Sequence, residues 1–137
     1  DPKTKGFIKL KKPNEIKKVI LCSGKIYFDL IEAREKLKRN DVIFYRIEQL
    51  YPFPVKSLVK EIKPYAKRAK FYWCQEEPKN MGAWFSVRDY IQWTLDNIKA
   101  NNNQVSYIGR NSDASPATGY AKRHISQQQE IIMKVFE

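Results

Sequence analysis

Histidine occurs once in the 137 residues, cysteine twice and glycine five times. A single histidine, His124, leaves no metal-ligand spacing to recognise. With so few glycines the chain has neither a Walker loop nor a dinucleotide fingerprint, and Ser23-Gly24-Lys25 supplies one glycine only. The Gly-x-Ser-x-Gly elbow of hydrolases is also missing. Ser115 is followed by Pro116, which has no N–H for an oxyanion hole, so Ser115 and His124 do not make a triad. No apolar run approaches the ~20 residues that span a bilayer. Asp1-Pro2-Lys3-Thr4-Lys5 lacks the apolar core of a secretory signal. The first residue is not Met, as expected of an excised or processed segment.

The chain is long enough for one domain with one core. Its 42% hydrophobic and 13% aromatic content excludes a disordered chain. Cys22 and Cys74 both sit in apolar, strand-like runs, which implies two buried reduced thiols rather than a disulfide. The net charge of +11 gathers on the N-terminal arm at Lys3, Lys5, Lys9, Lys11, Lys12, Lys17 and Lys18. Such a charge raises nucleic-acid binding. No recognition motif or aromatic-basic signature accompanies it, so a solvated basic face is the expectation, and neither nucleic acid nor membrane is an expected partner.

Strand and helix patterns then alternate. Val19 to Cys22 reads as a strand buried on both faces. Ile26 to Arg39 carries Ile26, Leu30, Ala33 and Leu37 at helical spacing. Val42 to Ile47 is a second strand. Tyr51-Pro52-Phe53-Pro54 is a stiff connector, leading to a helix from Val55 to Ile62. Phe71 to Gln75 predicts the third strand, Ala83 to Ile98 the third helix, Gln104 to Ile108 the fourth strand and Tyr120 to Phe136 the last helix. A long polar loop over 109–119 precedes that helix. The alternation predicts an α/β fold, a largely parallel sheet between layers of helices. A basic arm over 1–18, with Phe7-Ile8-Lys9-Leu10 as a candidate antiparallel edge strand, precedes one domain over 19–137.

The candidate chemistry lies after the carboxyl ends of the strands, where open α/β sheets bind ligands and partners. Ser23 and Lys25 flank a turn into a helix, and either hold an anion or form a plain turn with a serine N-cap. Arg46 and Glu48 share a face and are expected to pair. Glu76 and Glu77 follow the third strand and should point to opposite sides, which speaks against paired-carboxylate catalysis. Gly82 permits close backbone approach, and Trp84 is an interface anchor. Tyr51, Phe53 and Trp84 are expected to form an exposed apolar patch.

Several motifs recur here in one order: Val19 to Lys25; Arg46-Ile47-Glu48-Gln49-Leu50-Tyr51-Pro52-Phe53-Pro54; Trp73-Cys74-Gln75-Glu76-Glu77-Pro78 with Gly82-Ala83-Trp84; and Ser112 to Gly119 with His124 and Gln127-Gln128-Gln129. Across residues 7–137 the series resembles the C-terminal domain of the decarboxylating first component of the 2-oxoglutarate dehydrogenase complex. The resemblance implies a transketolase-like C-terminal domain, a three-layer α/β/α sandwich with a mostly parallel sheet of about five strands. It implies a homodimeric parent that uses thiamine diphosphate and Mg²⁺. That parent decarboxylates 2-oxoglutarate and succinylates the lipoyl arm of dihydrolipoyl succinyltransferase, beside dihydrolipoyl dehydrogenase, in the citric acid cycle. The bacterial cytoplasm is the expected location, with the mitochondrial matrix as the alternative.

The family's diphosphate and metal ligands lie in preceding domains, so the resemblance implies no catalytic, cofactor-binding or metal residue in this chain and an inactive isolated domain. What remains is dimerisation and support of the preceding domains. The interface residues implied are Tyr51, Phe53, Glu76, Glu77 and Trp84; a regulatory anion would meet Ser23, Lys25, Arg46 and Lys56. Acyl-coenzyme A responsive relatives carry arginines after the proline connector, where this chain has Val55-Lys56-Ser57. The alternative is a stand-alone basic module that binds anions or nucleic acid.

Overall fold

The computed structural model describes residues 8–112 and 121–137, with side chains from residue 125 onward in the second segment. In chain order the elements are β1 (Lys18–Cys22), α1 (Ile26–Leu37), β2 (Val42–Arg46), α2 (Val55–Ile62), β3 (Lys70–Pro78), α3 (Trp84–Asn97), β4 (Val105–Arg110) and α4 (Ala121–Val135). The strands form one sheet in the order β2-β1-β3-β4, and each neighbouring pair is parallel. The central strands are apolar on both faces because helices cover both.

Side-chain alternation divides the core in two. Val19, Leu21, Ile43, Phe71 and Trp73 point to the layer of α2 and α3, where they meet Leu58, Ile62, Val87, Ile91 and Leu95. Ile20, Cys22, Val42, Phe44, Cys74 and Ile108 point to the layer of α1 and α4, against Ile26, Leu30, Ile131 and Val135. Both clusters exclude water, and each fully buried aliphatic or aromatic side chain contributes roughly 1.5–3 kcal/mol.

Among the described residues four strands are present, where the sequence suggested about five. The arm does not extend the sheet at residues 8–10, which form no strand. Ile8 donates its N–H to Glu35 Oε1 at 2.9 Å, and the Lys11 N–H goes to the Asn40 carbonyl at 2.9 Å. The arm is thus fixed to α1 and the turn after it. A 3-10 turn over Pro13–Glu15 then redirects the chain into β1.

The far end of the chain is secured from the same region. Lys18 Nζ donates to the carbonyls of Val135 and Glu137, each at 3.0 Å, and Arg39 Nη1 donates to the Phe136 carbonyl at 2.6 Å. Arg39 also forks onto Asp41 at 3.0 and 3.3 Å. Burial pushes the Asp41 carboxyl upward, but the hydrogen bond and charge of Arg39 outweigh it and hold the group below its usual range.

Candidate functional site at the carboxyl end of the sheet

Strand order reverses between β1 and β3, because β1 leads to β2 on one side while β3 and β4 lie on the other. Open α/β sheets form their ligand crevice at such a switch point, outside the carboxyl ends of the strands. A crevice of about 590 Å³ occupies that place here, lined by Ser23 and Gly24 after β1 and by Trp73, Gln75 and Glu77 of β3 among others.

Gln75 organises this end of the molecule. It is buried, and its Oε1 accepts from Trp73 Nε1 at 2.9 Å and from the Trp84 backbone N–H at 3.1 Å. Its Nε2 donates to the carbonyls of Glu77 at 3.2 Å and Pro78 at 3.0 Å. One amide therefore satisfies a buried indole, a helix-start amide and two carbonyls at the end of β3. Gly82 makes this possible: a Cβ there would stand 2.5 Å from Gln75 Nε2.

Across the sheet, Cys74 pairs with Ile108 and Pro78 with Arg110. Gln75, Glu76 and Glu77 therefore lie opposite Gly109 alone. This is a bulge, the device by which strands re-aim side chains beside sites. A Cβ on Gly109 would stand 2.8 Å from the Gln75 carbonyl, so only glycine accommodates the bulged strand.

The two carboxylates part company as strand alternation predicts. Glu76 turns to the α1 side and pairs with Lys25 Nζ at 3.3 Å. Glu77 turns to the crevice. Ser23 lines that crevice but Lys25 does not, so the turn separates the two residues. The turn itself differs from a serine-capped one: Lys25 holds the N-cap position without a side-chain bond, and Gly24 takes φ +81°. Arg46 Nη1 stands 3.6 Å from Glu48 Oε1, and its guanidinium lies 5.1 Å from the centre of the Phe28 ring. Lys56 is exposed in the first turn of α2, and no hydrogen bond or ion pair links it to Ser23, Lys25 or Arg46.

The expected aromatic patch divides. Tyr51 is 89% exposed, whereas Phe53 and Trp84 are both buried. The reason is local packing. Phe53 stacks on Tyr90, with centroids 5.3 Å apart and planes 7° apart, and Trp84 leans on Tyr107 at 5.5 Å. The apolar surface that is exposed instead comes from Met81, Phe85, Tyr90 and Trp93 on and before α3. The sequence signal for this was present in Phe85 and Trp93, two four-residue steps apart on α3. The role of Gln75 was legible too: Trp73 and Gln75, two apart on a strand, share a face.

Cys22 and Cys74 are register partners on adjacent strands, and both are free and buried. Burial pushes the Cys22 thiol up to about 12 against the opposing charge of Arg46, and burial likewise raises Cys74. Neither is an activated nucleophile. A second, more polar hollow of about 280 Å³ lies at Arg110, Asn111, Ser112, Gln127 and Lys134, where Arg110 Nη1 donates to Gln127 Oε1 at 2.9 Å. The polar loop from Asp113 to Gly119, with Ser115, and the His124 side chain lie outside the described residues. Among the described residues no three His, Cys, Asp or Glu side chains are grouped to hold a metal ion.

The fold and this end of the sheet define a parallel α/β/α domain with a Gln75-braced crevice at the carboxyl ends of its strands. Residues 1–136 match the family model described as 2-oxoglutarate dehydrogenase C-terminal, and the chain belongs to that family. The 2-oxoglutarate dehydrogenase E1 component of Brucella abortus (strain S19) is 51% identical over 125 residues, covering 91% of this chain and 12% of the relative. That of Brucella anthropi is 51% identical over 120 residues, covering 88% and 12%. The chain thus spans about an eighth of the length of these relatives.

A solved structure described as "Split gene transketolase, inactive beta4 tetramer" shares the fold at TM-score 0.53 and 13% identity, covering 99% of this chain and 44% of that one. The relatives support the family reading over a stand-alone basic module.

Proposed function

We propose that this domain serves the E1 component of a bacterial, cytoplasmic 2-oxoglutarate dehydrogenase complex by completing its homodimer and bracing its preceding domains. The parent decarboxylates 2-oxoglutarate and passes the succinyl group to the lipoyl arm of dihydrolipoyl succinyltransferase, with dihydrolipoyl dehydrogenase downstream. Thiamine diphosphate with Mg²⁺ supplies the decarboxylation chemistry there. The donor set among the described residues does not fit that group. Glu76 is taken by Lys25 and Glu48 by Arg46, and among the described residues no three His, Cys, Asp or Glu side chains are grouped to hold the metal.

The observation that carries the reading is identity of 51% to E1 components of which the chain covers 12%. The interface lies at the carboxyl end of the sheet: Tyr51 and Glu77 are exposed there, Phe53 and Trp84 are buried, and Glu76 pairs with Lys25 on the other side of β3. The test is turnover. The 137-residue chain, given 2-oxoglutarate, thiamine diphosphate, Mg²⁺ and an artificial electron acceptor, is expected to be inert. A parent enzyme shortened by this domain is expected to lose activity and dimer together, and to regain both when the chain is supplied separately. Turnover by the chain alone overturns the reading.

A further inference from the structure

The chain's basic character is suspended in the switch-point crevice. The lining residues include the Glu77 carboxylate, the Gln75 amide, the hydroxyls of Ser23 and Ser86, and the rings of Tyr51 and Tyr90; they include no lysine or arginine. This is in a chain of net charge +11. The wider stretch 71–98 carries two basic residues, Lys79 and Arg88, against four acidic ones, Glu76, Glu77, Asp89 and Asp96. The ammonium of Lys25 is drawn to Glu76 on the opposite side of β3, and that of Lys79 lies 5.3 Å from the centre of the Tyr107 ring.

Glu77 makes no ion pair among the described residues. Tyr51 is 89% exposed and Tyr90 is 45% exposed. An anion would find little here, since the first N–H of α3, that of Trp84, is already given to Gln75 Oε1.

We infer that this crevice receives an arginine side chain from a neighbouring polypeptide, with Glu77 as its counter-ion and the Tyr51 and Tyr90 rings as its stacking faces. A guanidinium is planar, forks onto a carboxylate and stacks on aromatic rings, and it is more weakly hydrated than an ammonium. A polypeptide is the source because Met81, which lines the crevice, and Phe85 and Trp93 of α3 are all exposed, more apolar surface than one small cation covers. Aromatic and arginine residues concentrate at the centres of protein interfaces. The inference rests on the reading above that this end of the sheet faces a neighbouring chain.

The test uses the 137-residue chain and the blocked peptide Ac-Leu-Arg-Leu-NH₂, followed by the NMR shift of the Trp73 indole N–H. The same peptide with citrulline is the neutral isostere, and Ac-Leu-Glu-Leu-NH₂ is the anionic control. The arginine peptide is expected to saturate the shift and to bind about tenfold tighter than the citrulline peptide, as one charged contact allows. Glu77→Gln should erase that difference, while Glu48→Gln, an exposed carboxylate elsewhere, should leave it intact. Tyr90→Leu should weaken the arginine peptide.

Glu77 is on the surface, and unchanged circular dichroism of Glu77→Gln excludes unfolding as the cause of any loss. Equal binding of the arginine and citrulline peptides, no saturable shift, or preference for the glutamate peptide overturns the inference. A chain that binds the arginine peptide yet turns over 2-oxoglutarate alone would keep this inference and sink the scaffold reading. An inert chain blind to the peptide would do the reverse.

Discussion

Trp73 and Gln75, two residues apart on β3, are joined side chain to side chain by a buried 2.9 Å hydrogen bond. The same oxygen takes the first amide of α3. Removing the amide strands two buried donors, each costing roughly 1–3 kcal/mol when left unpaired. Gln75→Leu is therefore expected to lower stability by about 2–4 kcal/mol, read as a fall in the urea midpoint. Gln75→Glu keeps the acceptor but sets a carboxylate against the Glu77 and Pro78 carbonyls, and should also destabilise. An unchanged midpoint for both variants would show that the loop does not depend on this amide.

Two glycines at the same end of the sheet should respond oppositely in size. Gly82→Ala places a Cβ 2.5 Å from Gln75, and overpacking of this kind costs about 1–3 kcal/mol. Gly24→Ala meets nothing within 4 Å and bears only the strain of φ +81°, about 1 kcal/mol. Thermal unfolding of the pair should rank Gly82→Ala below Gly24→Ala, and the reverse order would mean that the loop yields more easily than the turn.

The thiols give the fold a pH limit. Unfolded cysteine ionises near the reference value of 9.0, whereas folded Cys22 stays protonated up to about 12. Between these values the native state binds more protons than the unfolded state, so stability falls as pH rises from 9 toward 12. Cys22→Ala with Cys74→Ala should be less stable at neutral pH but should lose less between pH 8 and 10.5 than the parent chain, as about one pH unit of differential titration is worth roughly 1.4 kcal/mol per thiol. In the native chain at pH 8, Ellman's reagent should find neither thiol until denaturant is added. Rapid labelling of the folded chain would contradict the burial of both.

Arg34 is wholly buried, yet only its Nη1 is hydrogen-bonded, to the Val42 carbonyl at 3.2 Å. Nε and Nη2 have no hydrogen-bond partner, although Glu35 Oε2 lies 3.9 Å from Nε and the guanidinium lies 5.1 Å from the centre of the Phe44 ring. Burial lowers its pKa while Glu35 raises it. An apolar residue of similar length avoids the desolvation cost, so Arg34→Met is expected to be neutral or stabilising by up to about 2 kcal/mol. Arg34→Ala leaves a cavity and should destabilise by about 2 kcal/mol or more. Equal losses for both would show that the charge itself is needed.

The sheet was legible because Val19 to Cys22 and Phe71 to Cys74 are apolar without a break, which only strands covered on both faces require. Helix spacing at Val87, Ile91 and Leu95 was equally direct. Alternation around Lys9 suits an edge strand, but residues 8–10 form none, because the amides of Ile8 and Lys11 find acceptors on α1 and its turn; Phe7 lies outside the described residues. The buried state of Phe53 and Trp84 depends on Tyr90 and Tyr107, which are distant in sequence and meet them only after folding. Periodicity also carried no sign of an arginine inside α1, because position 34 fits the helix stripe for any side chain long enough to reach β2.

Lys18 and Arg39 reach carbonyls 97 to 119 residues further along the chain. These bonds turn a linear polypeptide into something close to a ring. Each doubling of such a span adds only about 0.6 kcal/mol of closure entropy, so a handful of main-chain acceptors suffices to shut it. The two ends of the domain are thereby held by one set of contacts, so trimming the last residues would also strip Lys18 and Arg39 of their acceptors.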